Sequence, residues 1–201
     1  MSKGAEIEAL LTRGVAEVVV RESLEKKLAS GKKLRVKFGI DPTGDCIHIG
    51  HAVALLKLRE FQNLGHTVIL LIGDHTAEIG DPSGKNKERV PLTKEQIKKN
   101  MSLYEKQAGR ILDMKKVEVR RNSEWYEKMG IMEFVRLSSY VTVPQVLQRA
   151  DFKKRLAAGE DVSLREALYP ILQGYDSVML KSDVEIGGTD QKFNLLMGRQ
   201  I

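Results

Sequence analysis

The stretch DPTGDCIHIGH, residues 41–51, holds two histidines three positions apart among aspartates and glycines. His48 and His51 could be half of a metal site, a clamp for phosphate oxygens, or part of an ordinary polar loop. A zinc site asks for a third recognisable ligand. No HExxH is present, Cys46 is the only cysteine, and Asp74-His75 offers further donors only at a distance along the chain. A Walker-type loop fares no better. GDPSGK (80–85) has its glycines one residue too close, and Asn86 stands where Ser or Thr must follow the lysine. A phosphate clamp fits: a helix start offers unpaired N–H groups and the positive end of its dipole. Histidines there donate to phosphate oxygens, and Gly50 lets a ligand come close. A histidine-capped helix without a ligand accounts for the same residues.

A second set comprises Tyr169, Gln173 and Asp176. At i, i+4 and i+7 they put a phenol, an amide and a carboxylate on one helix face, suited to a small polar ligand. Leu168, Leu172 and Tyr175 form the neighbouring stripe, which can face a core. From spacing alone a solvated face is as good an account.

The elements that must carry these residues can be read in order. Residues 5–29 have the spacing of a helix, ending at Gly31. Leu34, Val36, Phe38 and Ile40 alternate with Arg35, Lys37, Gly39 and Asp41, a strand signal. Asp41-Pro42-Thr43-Gly44 is turn chemistry. A helix follows to Leu64, with Gly65 as its stop. TVILLIG (67–73) is continuously apolar, as in a strand buried on both faces. Thr93 with Gln96 and Ser163 with Glu166 are capping boxes that open helices. Pro170 should kink the second of these helices or cost it one hydrogen bond. Between them, 116–121 reads as a strand and 124–140 as a helix, and Pro144 opens another helix running to Ala158. DVEIG (183–187) is a short strand, followed by the loop GGTDQ and a helix from Lys192. Strands alternating with helices make an α/β domain with a mainly parallel sheet. Ligands bind at the carboxyl ends of such strands, where 41–51, 74–84 and 187–191 all fall.

Bulk properties set the class. The 201 residues, 42% hydrophobic and 30% charged, suit one globular domain. No apolar run approaches the ~18 residues of a membrane span, and no secretory signal is visible. A single cysteine fits the cytoplasm. Net charge is +6, from 33 basic and 27 acidic residues, which is compatible with a polyanionic partner.

Together, GIDPTGDCIHIGH (39–51), IGDPSGK (79–85), YPILQGYDS (169–177) and IGGTDQKFN (186–194) resemble the tyrosyl-tRNA synthetases, over nearly all 201 residues. HIGH is shared by class I synthetases and related nucleotidyltransferases. The other three motifs, in this order, are far more specific to the tyrosine enzymes, and they disfavour another HIGH-bearing nucleotidyltransferase. The resemblance implies a Rossmann-like domain over 1–201, with 113–160 as a helical connective and dimerisation insertion. It implies a tyrosine–tRNA ligase. Tyrosine is activated with ATP, accompanied by Mg²⁺ as part of the substrate, and the tyrosyl group passes to tRNA(Tyr). No tightly bound metal is implied.

Carried over, Thr43 and His48 grip the leaving pyrophosphate, and His51 lies near the ribose. Gly50 leaves room for adenine, Gly39 and Asp41 line the junction of the two substrates, and Gly188 and Asp190 meet the ribose. Thr76, Asp81, Tyr169 and Gln173 surround the tyrosine ammonium, Gln191 holds its carboxylate side, and Asp176 accepts from the phenol. A homodimer is expected, with Trp125, Met129, Ile131, Met132, Phe134 and Val135 supplying apolar bulk. Two positions depart from many members: Lys37 replaces a tyrosine that shares the phenol contact, and Lys192 replaces a tryptophan. Both mark a branch of the family. The KMSKS-type loop and the anticodon-binding domain are not among these 201 residues. The expectation is therefore a chain that binds tyrosine, binds ATP weakly and activates poorly. The alternative is a non-catalytic fragment that binds tyrosine or RNA.

Overall fold

A computed structural model describes residues 2–83 and 92–201. Gly84 and Lys85 of the IGDPSGK motif lie outside the described residues, as do the basic residues up to Arg89. The described chain forms a four-stranded parallel sheet in the order β3-β2-β1-β4, from β1 (Arg35–Ile40), β2 (Thr67–Ile72), β3 (Val117–Arg121) and β4 (Val184–Ile186). Its helices are α1 (Lys3–Thr12), α2 (Arg21–Ala29), α3 (Ile49–Asn63), α4 (Thr76–Ile79), α5 (Lys94–Ala108), α6 (Ser123–Tyr126), α7 (Ile131–Ser138), α8 (Val143–Val146), α9 (Ala150–Ala157), α10 (Leu164–Met179) and α11 (Lys192–Gly198).

The period-two pattern of β1 sorts its side chains between two layers. Val36, Phe38 and Ile40 join Val68, Leu70 and Ile72 of β2 in a core shared with α1, α2, α3 and α5. Ile69 and Leu71 of β2 face the other way and pack with Trp125, Tyr126, Leu172 and Leu180. β2 is apolar throughout because both its faces are covered. On that second face β1 offers Lys37 and Gly39 instead of hydrophobes, Asp41 follows directly after its end, and the site lies there.

Several helices are shorter than their periodicity suggests. The run 5–29 is two helices, separated where Gly14 adopts φ 66° and Val20 φ 57°. The valines between them are weak helix formers. The stretch 124–140 breaks before Gly130, the N-cap of α7. The helix opened by Pro144 stops at Leu147, and α9 resumes after Arg149. Both expected capping boxes form, and Thr142 with Gln145 adds a third. α10 runs unbroken across Pro170, so the proline costs only the bond its missing N–H would have made.

Candidate active site at the reversal of strand order

From β1 the chain adds β2 and β3 on one side, then returns to pair β4 with β1 on the other. This reversal opens a crevice at the carboxyl ends of β1 and β4, the usual ligand position in such sheets. Asp41 follows β1 directly. Its Oδ1 accepts from Thr76 Oγ1 at 2.8 Å and its Oδ2 from Tyr169 Oη at 2.8 Å. Burial first, then the neighbouring charge of Asp81, pushes its carboxyl up to about 7. Gly73 is needed here, because a Cβ on it would lie 2.0 Å from Asp41 Oδ1.

Asp176 projects from the inner face of α10 and is almost fully buried. Trp125 Nε1 donates to its Oδ1 at 2.9 Å, and Asn122 Nδ2 to its Oδ2 at 3.3 Å. Asn122 also donates to Thr76 Oγ1 at 2.9 Å, which joins the Asp176 end of the site to Asp41. Burial raises the Asp176 carboxyl to about 6, with nearby Lys37 pulling the other way. An ionised carboxylate can accept about four hydrogen bonds, so Asp176 keeps capacity for a ligand donor. Trp125, expected among the apolar residues of a dimer face, is instead buried and bonded to Asp176: its indole N–H needs an acceptor when enclosed.

Lys37 is wholly buried beneath this face. Its Nζ donates to Gln173 O at 3.1 Å and Ser177 Oγ at 3.0 Å, and it pairs with Glu185 of β4 at 3.0 Å. Gln173 Nε2 donates to the same Glu185 at 3.0 Å. Across the crevice, Gln191 Nε2 donates to Asp81 Oδ2 at 2.7 Å. Asn194, fully buried, donates to Gln173 Oε1 at 2.9 Å and to Gln191 Oε1 at 3.0 Å. Gly174 and Gly198 let α10 and α11 touch: a Cβ on Gly174 would lie 2.9 Å from the Gly198 Cα.

The histidines form a separate group at the start of α3. His48 is the N-cap, and its Nδ1 accepts from the His51 backbone N–H at 3.4 Å. The proton of a neutral His48 ring therefore sits on Nε2. The two rings stack at 3.6 Å. Burial and the His48 ring lower His51 to about 4, so it is neutral near pH 7. Gly50 lies beneath the His48 ring; a Cβ there would come within 3.0 Å of it. Thr43 is exposed in the turn after β1. Gly188 leaves room for Asp190, whose Oδ1 would sit 2.4 Å from a Cβ at 188. A cleft of about 610 Å³ lies between the α1–α2 segment, α3, β4 and α11, with Gly50, Gly187, Gly188 and Thr189 among its walls.

The structure thus brings Asp41, Thr76, Tyr169 and Asp176 into one bonded set through Asn122, and Asp81, Gln173 and Gln191 into another through Asn194; Gly39 is exposed on β1 beside them. His48, Gly50 and His51 form a further group; Thr43 stands apart in the exposed stretch after β1, and Gly188, against which Asp190 packs, lines the cleft. Asn122, Asn194, Arg149 and Glu185 were not singled out by sequence, and Trp125 was named only for apolar bulk. Asn122 had a positional signal, directly after a strand, and Asn194 stood within a quoted motif. Arg149 had none.

A parallel sheet with a polar crevice at its reversal and a histidine-capped helix beside it defines a Rossmann-like domain. The family model described as tRNA synthetases class I (W and Y) matches residues 29–201, and the chain belongs to that family. It is 56% identical over 191 residues to a tyrosine–tRNA ligase of Oleidesulfovibrio alaskensis, covering 95% of this chain and 48% of that protein. It is 57% identical over 195 residues to one from Dehalococcoides mccartyi, covering 97% and 49%. The chain therefore spans about half the length of the curated relatives it matches. Among solved structures, a C-terminally truncated mitochondrial tyrosyl-tRNA synthetase of Aspergillus nidulans superposes with a TM-score of 0.84 at 28% identity, covering 96% of this chain and 59% of that one. A tyrosyl-tRNA synthetase of Archaeoglobus fulgidus, complexed with L-tyrosine, shares the fold with a TM-score of 0.78 at 23% identity, covering 100% and 60%.

Proposed function

We infer that this chain is the substrate-holding portion of a tyrosine–tRNA ligase, which forms tyrosyl-adenylate from tyrosine and ATP and then charges tRNA(Tyr). The observation that carries the reading is Asp176: a buried carboxylate at the end of a polar crevice, held by Trp125 and Asn122 with acceptor capacity left over. A phenol O–H satisfies that acceptor; a phenyl ring leaves it unpaired, which is how such a site rejects phenylalanine. Gln173, Tyr169, Asp81 and Thr76 surround the ammonium end, and Gln191 faces the carboxylate.

In the first step a tyrosine carboxylate oxygen bonds to the α-phosphorus of ATP and the bond to pyrophosphate breaks. Negative charge grows on the leaving pyrophosphate. His48 Nε2–H, the Thr43 hydroxyl and the α3 N-terminus are the donors available to it. Neutral His51 and Asp190 hold the ribose, and Gly50 and Gly188 admit the nucleotide. Mg²⁺ enters with ATP as part of the substrate. The chemistry is positioning and charge stabilisation, with no covalent enzyme intermediate.

The same reading includes a homodimer working in the cytoplasm, with 113–160 as its connective segment. Ile131 at 78%, Val143 at 69% and Leu164 at 74% exposure leave apolar side chains on α7, α8 and α10 for a partner copy to cover. Exposed Cys46, the only cysteine, suits a reducing compartment.

Calorimetry with tyrosine and phenylalanine tests the core of this reading. Tyrosine should bind and phenylalanine should bind far more weakly; equal binding would overturn the role of Asp176. Tyrosine-dependent exchange of pyrophosphate into ATP, beside a His48→Ala control, then measures the first half-reaction.

A further inference from the structure

Three amides meet at the crevice, and an amide can present either its oxygen or its nitrogen. Charged groups at the edges of the cluster decide which. Arg149 is buried just before α9, between the rings of Phe152 and Phe193. It pairs with Asp151, and its guanidinium donates to Asn194 Oδ1 at 2.6 Å and to Ser83 Oγ at 3.0 Å. A guanidinium only donates, so the Asn194 oxygen must face Arg149. The Asn194 nitrogen then faces inward, to the oxygens of Gln173 and Gln191. At the far ends, Glu185 and Asp81 only accept while ionised, and each takes the nitrogen of one glutamine. All three amides are therefore fixed, each between groups of known polarity.

We propose that Arg149, acting through Asn194, is a positioning residue that orients the Gln173 amide so that its oxygen is offered to the ammonium of the bound amino acid. This rests on the tyrosine reading above. Arg149 itself touches no substrate. Without its charge, Asn194 is free to turn its own oxygen toward Gln173, and the two oxygens repel. Gln191 is less affected, because its nitrogen is held by two carboxylates, Asp81 and Asp190, whereas that of Gln173 has only Glu185, which Lys37 shares.

The test compares Arg149→Met with the parent chain by calorimetry, using L-tyrosine, tyramine and 3-(4-hydroxyphenyl)propionate. Tyramine keeps only the ammonium and the propionate only the carboxylate. Tyrosine and tyramine should weaken on the order of ten-fold, and the propionate far less. A simple loss of positive charge would do the reverse, tightening tyramine and weakening the propionate; that result, or unchanged affinities, overturns the proposal. Arg149→Lys keeps the charge but not the planar fork. It should show the same pattern at smaller amplitude, and it decides the matter if the methionine variant does not fold. Side-chain amide NMR signals of Gln173 should move in either variant with no ligand present, and unmoved signals would overturn the proposal. A parent chain that binds none of the three compounds would overturn the tyrosine reading instead, while the amide signals still report on Arg149.

Discussion

Asp176 carries the sharpest consequence at the scale of single residues. Asp176→Asn keeps a carbonyl for Trp125 but removes the charge that a phenol would meet. Tyrosine affinity should fall about ten-fold or more with phenylalanine little changed, as titration calorimetry with both would read. Asp41 has a pH signature. Its folded-state value of about 7 lies above the ~3.9 of an unfolded aspartate, so the native state holds the extra proton between them. Stability should therefore fall as pH rises through that window, and level off above it. Urea unfolding at pH 5 and pH 8 should show the parent losing about 2–3 kcal/mol more over that interval than Asp41→Asn, which keeps only the smaller loss from Asp176. Tyr169, Gln173 and Asp176 were legible because one helix carries all three at a fixed spacing. Asn122, Trp125 and Arg149 were not, because their partners come from other elements and no local pattern encodes the meeting.

Among the elements, the contact of α10 with α11 sets the geometry of the crevice. Gln173 rides on one helix and Asn194 on the other, and Gly174 against Gly198 fixes their separation. Gly174→Ala should push the helices apart and cost about 1–3 kcal/mol, with weaker tyrosine binding. Chemical denaturation and calorimetry on one preparation would check both. The strands and their order of appearance were readable from alternation and apolar runs. Helix ends were less so. Residues 5–29 keep a helical stripe across a gap, and only backbone angles at Gly14 and Val20 reveal the break. Lys37, Gly39 and Asp41 gave the alternation of a half-solvated strand, yet their polar side faces a crevice under α10 rather than open water. Periodicity reports that a face is polar, not what it faces.

For the whole molecule, association is the open physical quantity. Ile131 is 78% exposed, so Ile131→Glu should change the stability of a single subunit by no more than about 0.5 kcal/mol. If α7 lies at an interface between copies, the same change should shift sedimentation from dimer to monomer at micromolar concentration. Parent and variant both sedimenting as monomers would count against the dimer.

Gly39 separates two quantities that usually travel together. It sits in a central strand yet is exposed, and a Cβ there would meet only the Lys37 Cε at 3.6 Å and the Leu71 Cδ2 at 3.9 Å. Those are ordinary contacts, so the fold has room for a methyl group there; an objection to alanine must come from whatever occupies the space above. Alanine, serine and valine at this position form a set of calipers. The size at which melting stays constant and ligand affinity collapses measures the clearance between the strand and its guest.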